Sequence, residues 1–176
     1  LMTNPVPIQM PIGSEDNYVG LIDLITMKAI IYKGDEGESG FDITDIPDDL
    51  KKKASHYRHN LIEKLGESDD KVMDKYLHEQ GIYPNELKEA VRRATISGKM
   101  IPVLCGASAK NKGIQPVLDA IVDFLPSPLD IPPIKGINPD NDQEVTRQTS
   151  VDDSLCGLVF KIVSDPFVGR LAYARI

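Results

Sequence analysis

Hydrophobic positions along the chain change period several times, and each change marks a change of element. Over residues 4–13, N-P-V-P-I-Q-M-P-I-G, Val6, Ile8, Met10 and Ile12 alternate, as the inward face of a strand does. Pro5, Pro7 and Pro11 share one parity, which strips one edge of that strand of donors and leaves pairing to the other. An edge strand is expected. A turn over 13–17 leads into Y-V-G-L-I-D-L-I-T-M-K-A-I-I-Y, residues 18–32. This run is rich in β-branched and aromatic residues and long enough for one bent strand or two that pair back as a hairpin. F-D-I-T-D-I, residues 41–46, alternates again and adds a further strand.

From Pro47 the period becomes helical. Pro47, Asp48 and Asp49 make a favourable first turn, with carboxylates at the positive end of the helix dipole. Leu50, Ala54, Tyr57, Leu61 and Leu65 mark one buried face before Gly66 closes it. A second helix over about 69–78 presents Val72, Met73, Tyr76 and Leu77, and a third over about 85–97 presents Leu87, Ala90, Val91 and Ala94, ending at Gly98. The run I-P-V-L-C, 101–105, reads as a short buried strand that delivers the chain to a glycine-containing loop. Ile114, Val117, Leu118, Ile121, Val122 and Leu125 then form one continuous helical stripe, stopped by Pro126 and Pro128.

Strand, loop and helix make half of a βαβ unit, and the loop at the carboxyl end of such a strand is where α/β proteins place ligands. The proline-, Asn- and Asp-rich stretch 127–153 shows no period and reads as a linker. In C-G-L-V-F-K-I-V-S-D-P-F-V-G-R-L-A-Y, Leu158, Phe160 and Ile162 alternate, Asp165 and Pro166 turn the chain, and Leu171 and Tyr173 resume a strand. Two strands cannot bury a core alone.

Composition narrows the class without naming it. The chain has 176 residues, 41% hydrophobic and 27% charged, with formal charge −7, and a pI of about 4.9. This suits one or two globular domains and disfavours a free-standing nucleic-acid binder. No apolar run is long enough to span a membrane, and 1–5 lack the basic start and apolar core of a signal peptide. Cys105 and Cys156 show no metal or redox spacing and read as reduced thiols. His56 and His59 stand three apart but lack further ligands, so they read as solvent-facing, as do Lys51, Lys52 and Lys53. Residues 33–40, K-G-D-E-G-E-S-G, carry three acids and no Lys-Ser/Thr ending, and so read as a solvated turn rather than a phosphate loop.

Five segments carry a resemblance. C-G-A-S-A-K-N-K-G-I-Q-P-V-L-D-A-I, then F-L-P-S-P-L-D-I-P-P-I-K-G, resemble elongation factor G of bacteria and organelles. N-P-V-P-I-Q-M-P-I-G, G-L-I-D-L-I-T-M-K-A and M-D-K-Y-L look like landmarks of its G-prime insert. The resemblance implies an α/β fold: an α+β insert subdomain of a P-loop GTPase domain, followed by the first hairpin of a β-barrel. It implies the insert over 1–100, the last strand and helix of the GTP-binding domain over 101–126, a linker over 127–153, and the start of domain II over 154–176. The implied parent is a cytoplasmic translational GTPase that moves tRNA and mRNA through the ribosome and uses GTP and Mg²⁺. Its implied partners are the carboxyl-terminal domain of the ribosomal stalk protein, through the insert, and small-subunit rRNA, through domain II, with no membrane and no DNA.

The chain itself lacks the parent's chemistry. G-x-x-x-x-G-K-[ST], D-x-x-G and N-K-x-D are all absent, and Asn111-Lys112-Gly113-Ile114 has Ile where a guanine-pairing Asp must stand. A non-catalytic piece of a larger factor is therefore expected, without cofactor or metal of its own. The resemblance leaves one nucleotide contact, a backbone N–H to the guanine carbonyl. Aligning K-N-K-G places the family's usual Ser-Ala at Ala107 and Ser108. A self-sufficient ribosome-associated interaction module without GTPase activity is the alternative.

Overall fold

The structure, a computed structural model, describes residues 4–34 and 40–176. Residues 1–3 and 35–39, the latter within the stretch expected to be a solvated turn, lie outside the described residues. The chain folds as two units, Leu1–Leu125 and Pro126–Ile176, and both helices and strands are abundant, so the class is α+β.

The stretch 4–13 is two strands rather than one. β1 (Pro5–Pro7) pairs parallel with β6 (Ile101–Val103), whereas β2 (Gln9–Ile12) pairs antiparallel with β3 (Gly20–Asp23). Ile8 is the junction. Its N–H donates to the Val103 carbonyl and its own carbonyl accepts from Leu24 N–H, each at 3.0 Å. β2 is an edge of the four-stranded sheet β2-β3-β4-β5, completed by β4 (Lys28–Tyr32) and β5 (Phe41–Thr44). A tight turn separates β3 from β4, where the Asp23 carboxylate accepts from Ile25 N–H at 2.8 Å and from Thr26 Oγ1 at 2.7 Å, as an Asx turn does.

Helices α1 (Asp48–Gly66), α2 (Asp70–Leu77) and α3 (Pro84–Ile96) cover this sheet. Ala54, Leu61 and Leu65 of α1 and Leu87, Ala90, Val91 and Ala94 of α3 join Met10, Ile22 and Leu24 in one buried core, each large side chain contributing about 1.5–3 kcal/mol. The Asp69 carboxylate caps α2 by accepting from the N–H groups of Lys71 and Val72, and Arg93 of α3 donates to it at 2.6 Å. Burial pushes that carboxyl up, but the bonds from Arg93 and from the backbone outweigh it and hold Asp69 below its ordinary range. Leu77, expected inside, is exposed because α2 ends there with only Val72 fully buried.

The largest departure is α4 (Ile114–Phe124). Its apolar stripe was expected to be covered, yet Leu118 is 57% and Val122 79% exposed, while Ala120 and Phe124 face the core. Nor is β6 the buried strand expected, with Ile101 47% exposed. The physical reason is that α4 lies against α3 on one flank, and the described residues provide no layer for the other.

In the second unit, the proline-rich stretch expected to be a linker contains a hairpin. β7 (Ile134–Ile137) pairs with β8 (Glu144–Arg147) around a turn in which Asn138 Oδ1 accepts from Asp140 N–H. β9 (Leu158–Asp165) and β10 (Gly169–Arg175) form the second hairpin, turned by Asp165 accepting from the N–H groups of Phe167 and Val168. Leu158, Phe160 and Ile162 are exposed. Among the described residues no helix is long and apolar enough to cross a membrane.

Candidate functional site

The loop 106–113 leaves β6 at its carboxyl end and returns into α4. Its neck is closed by a reciprocal pair: Ala107 N–H donates to the Lys112 carbonyl at 2.8 Å and Lys112 N–H to the Ala107 carbonyl at 3.1 Å. Two glycines make this neck possible. Gly113 has φ +90°, and a Cβ there would stand 2.8 Å from Gly106 Cα, while a Cβ on Gly106 would meet the Lys112 carbonyl oxygen at 2.9 Å. Only two residues without side chains can lie this close. Between them, residues 108–110 form a single 3₁₀ turn, and Asn111 reverses the chain at φ +49°, a conformation asparagine tolerates.

The loop rests on residues of the first unit's strands rather than standing free. Gln9 Oε1 accepts from Cys105 N–H at 3.3 Å. Tyr18 and Tyr32 are both buried, the Tyr18 hydroxyl beside the Cys105 thiol and the Tyr32 hydroxyl beside the Gly113 backbone. Burial, and then the neighbouring Cys105, push the Tyr18 phenol up, and burial raises Tyr32 as well. Cys105 is itself raised by burial, which makes its thiol a poor nucleophile. Lys110 reaches Asp16 at 3.3 Å on the surface, while Lys112, only 6% exposed, places Nζ 3.4 Å from the Tyr18 carbonyl.

The two residues nominated from sequence therefore differ. Ala107 has its N–H committed inside the neck. Ser108 is exposed, its carbonyl accepts from Asn111 N–H, and its own N–H has no acceptor among the described residues. A backbone N–H without an internal acceptor, at Ser108 or at Ala109, can donate to a carbonyl on the edge of a planar ligand. Sequence reasoning missed Lys112, Tyr18 and Tyr32, because a lysine reads as polar and the tyrosines sit in strand-like runs. The K-N-K-G spacing was the available signal. His56 and His59 are exposed, beside Asn60 and Tyr76 respectively, and both cysteines carry free thiols.

No protein-family model matches the chain. Among 74 chains of known structure that match it, the chain is similar to the crystal structure of ttk003000868 from Thermus thermophilus. The TM-score is 0.68 at 25% sequence identity, over 97% of the present chain and 23% of that one. The chain thus spans less than a quarter of the length of the protein it matches.

Proposed function

We propose that this chain is a segment of a translational GTPase of the elongation factor G type. In this reading residues 1–100 are an insert that meets the ribosomal stalk, 101–126 the last strand and helix of the GTP-binding domain, 127–153 a connection, and 154–176 the start of an rRNA-facing barrel. The longer cytoplasmic protein binds GTP with Mg²⁺ and promotes movement of tRNA and mRNA. The segment supplies the loop 106–113, in which Ser108 N–H donates to the guanine carbonyl.

One observation carries this reading. Among the described residues β6 has a strand partner on one edge only, and α4 beside it exposes Val117, Leu118, Ile121, Val122 and Leu125 in a contiguous stripe. A parallel strand and its following helix are covered on both sides in α/β proteins, and an apolar surface of this kind calls for cover. A further part of a nucleotide-binding sheet fits that edge and that face, and the loop then lies where α/β folds bind ligands. The coding sequence upstream of Leu1 tests the reading. G-x-x-x-x-G-K-[ST], D-x-x-G and N-K-x-D are expected there, with guanine-specific, Mg²⁺-dependent binding by the extended chain. An upstream sequence with none of them overturns it.

The proposed stalk contact has its own test. Lys51, Lys52 and Lys53 lie exposed at the start of α1, with Lys51 paired to Asp48, so a charge-dependent encounter there is sensitive to their sign. Changing all three to glutamate is expected to alter affinity for the stalk protein's carboxyl-terminal domain about tenfold in an NMR titration at low salt. Unchanged affinity, with shifts mapping elsewhere, removes this helix from the contact.

A further inference from the structure

Lys112 is the one lysine of the described chain that is buried. Burying an ammonium costs several kcal/mol unless its donors are used, and an apolar residue of similar length would fill the same space more cheaply. What Lys112 reaches is the carbonyl of Tyr18, 94 positions earlier, just after the 3₁₀ turn Glu15–Asn17 of the insert. Lys110, two residues before it, reaches Asp16 in that same turn. Both lysines of K-N-K-G therefore grip one turn. The inner grip is shielded, while the outer is an exposed pair of the kind worth under about 1 kcal/mol. The backbone of Lys112 also closes the loop neck with Ala107, so its side chain and main chain together join the insert's turn to the base of the loop.

We propose that Lys112 is the positioning residue of the loop 106–113: its buried ammonium clamps the loop neck to the Tyr18 carbonyl and so fixes the direction in which Ser108 presents its N–H. The insert thereby becomes part of the ligand site, because its turn sets the loop that does the contacting. The clamp stands on the geometry alone, and its consequence for guanine rests on the functional reading above.

Proton exchange at the lysine ammonium groups, followed by NMR on the intact chain, tests the clamp without a substitution. The Lys112 ammonium is expected to exchange at least about tenfold more slowly than those of Lys51, Lys52 and Lys53; equal rates overturn the proposal. Lys112→Met keeps the stem and removes the charge. In it the Ala107 and Lys112 amides are expected to exchange about tenfold faster while Ile22 and Val91 in the core keep their rates. Loop amides that stay unchanged, or loop and core accelerating together, overturn a positioning role, and if this variant does not fold the ammonium measurement decides alone. In the chain extended upstream, Lys112→Met is expected to weaken GDP about tenfold and to spare the diphosphate of 2-aminopurine riboside, which has no carbonyl at position 6. Equal loss for both nucleotides overturns the link to the base. An extended chain that binds neither overturns the functional reading and leaves the clamp to the exchange rates.

Discussion

Replacing Arg58 with methionine is expected to destabilise the unit Leu1–Leu125 by about 3 kcal/mol, the largest loss we anticipate from one surface-reaching side chain. The guanidinium lies on α1 and donates through Nη1 to the carbonyls of Leu24 and Ile25, each at 2.6 Å, and through Nη2 to the Ile82 carbonyl at 3.1 Å. One side chain thus ties α1 to the β3–β4 turn and to the segment leading into α3. Methionine keeps much of the packing but leaves three part-buried carbonyls without donors, at about 1 kcal/mol each. Lysine is expected to recover only part of the loss, because a point charge cannot serve three carbonyls in the fork that arginine presents. Burial already holds the Arg58 pKa below its usual value, in keeping with a group that has given up water. Urea unfolding followed by circular dichroism measures the effect, and a loss under about 0.5 kcal/mol removes Arg58 as the tie between these elements.

How far the fold was legible depended on the range of the contacts that decide each element. The faces of α1 and α3 were readable from Ala54, Leu61, Leu65, Leu87, Ala90, Val91 and Ala94, because a 3.6-residue period is a local property. The same period gave the stripe of α4 but not its exposure. Amphipathicity says that a face requires cover, not that the chain in hand provides it. Ile8 divides one alternating run into two strands through Val103 and Leu24, partners that no window of a dozen residues contains. The hairpin β7–β8 was hidden by the prolines beside it. The site divided in the same way. Gly106 and Gly113 announced a tight loop, whereas the commitment of Ala107 N–H, the freedom of Ser108 N–H and the burial of Lys112 all follow from how 106–113 sits against residues 9–32.

That geometry also fixes what the chain can do with a nucleotide by itself: titrated with GDP or GTP in the presence of Mg²⁺, it is expected to give no calorimetric signal up to millimolar ligand. Affinity in a GTPase site comes mostly from the phosphate loop, its lysine and Mg²⁺, and base selectivity from a bidentate carboxylate. The sequence has none of these motifs, and the position that an N-K-x-D would give to Asp holds Ile114. With Ala107 N–H bonded to the Lys112 carbonyl, the N–H groups of Ser108 and Ala109 are the backbone donors left at the turn for a base carbonyl. One such bond contributes about 1 kcal/mol net, against the roughly 8 kcal/mol that a micromolar dissociation constant requires. The shortfall exceeds what a long contact or a stacked ring supplies, since even a good aromatic pair adds only about 0.5–1.5 kcal/mol beyond its area. A guanine-specific, Mg²⁺-dependent dissociation constant in the micromolar range for this chain alone is the result that overturns the account. It would require a phosphate site built from residues that carry none of the known phosphate-loop chemistry, and it would overturn the proposed function with it.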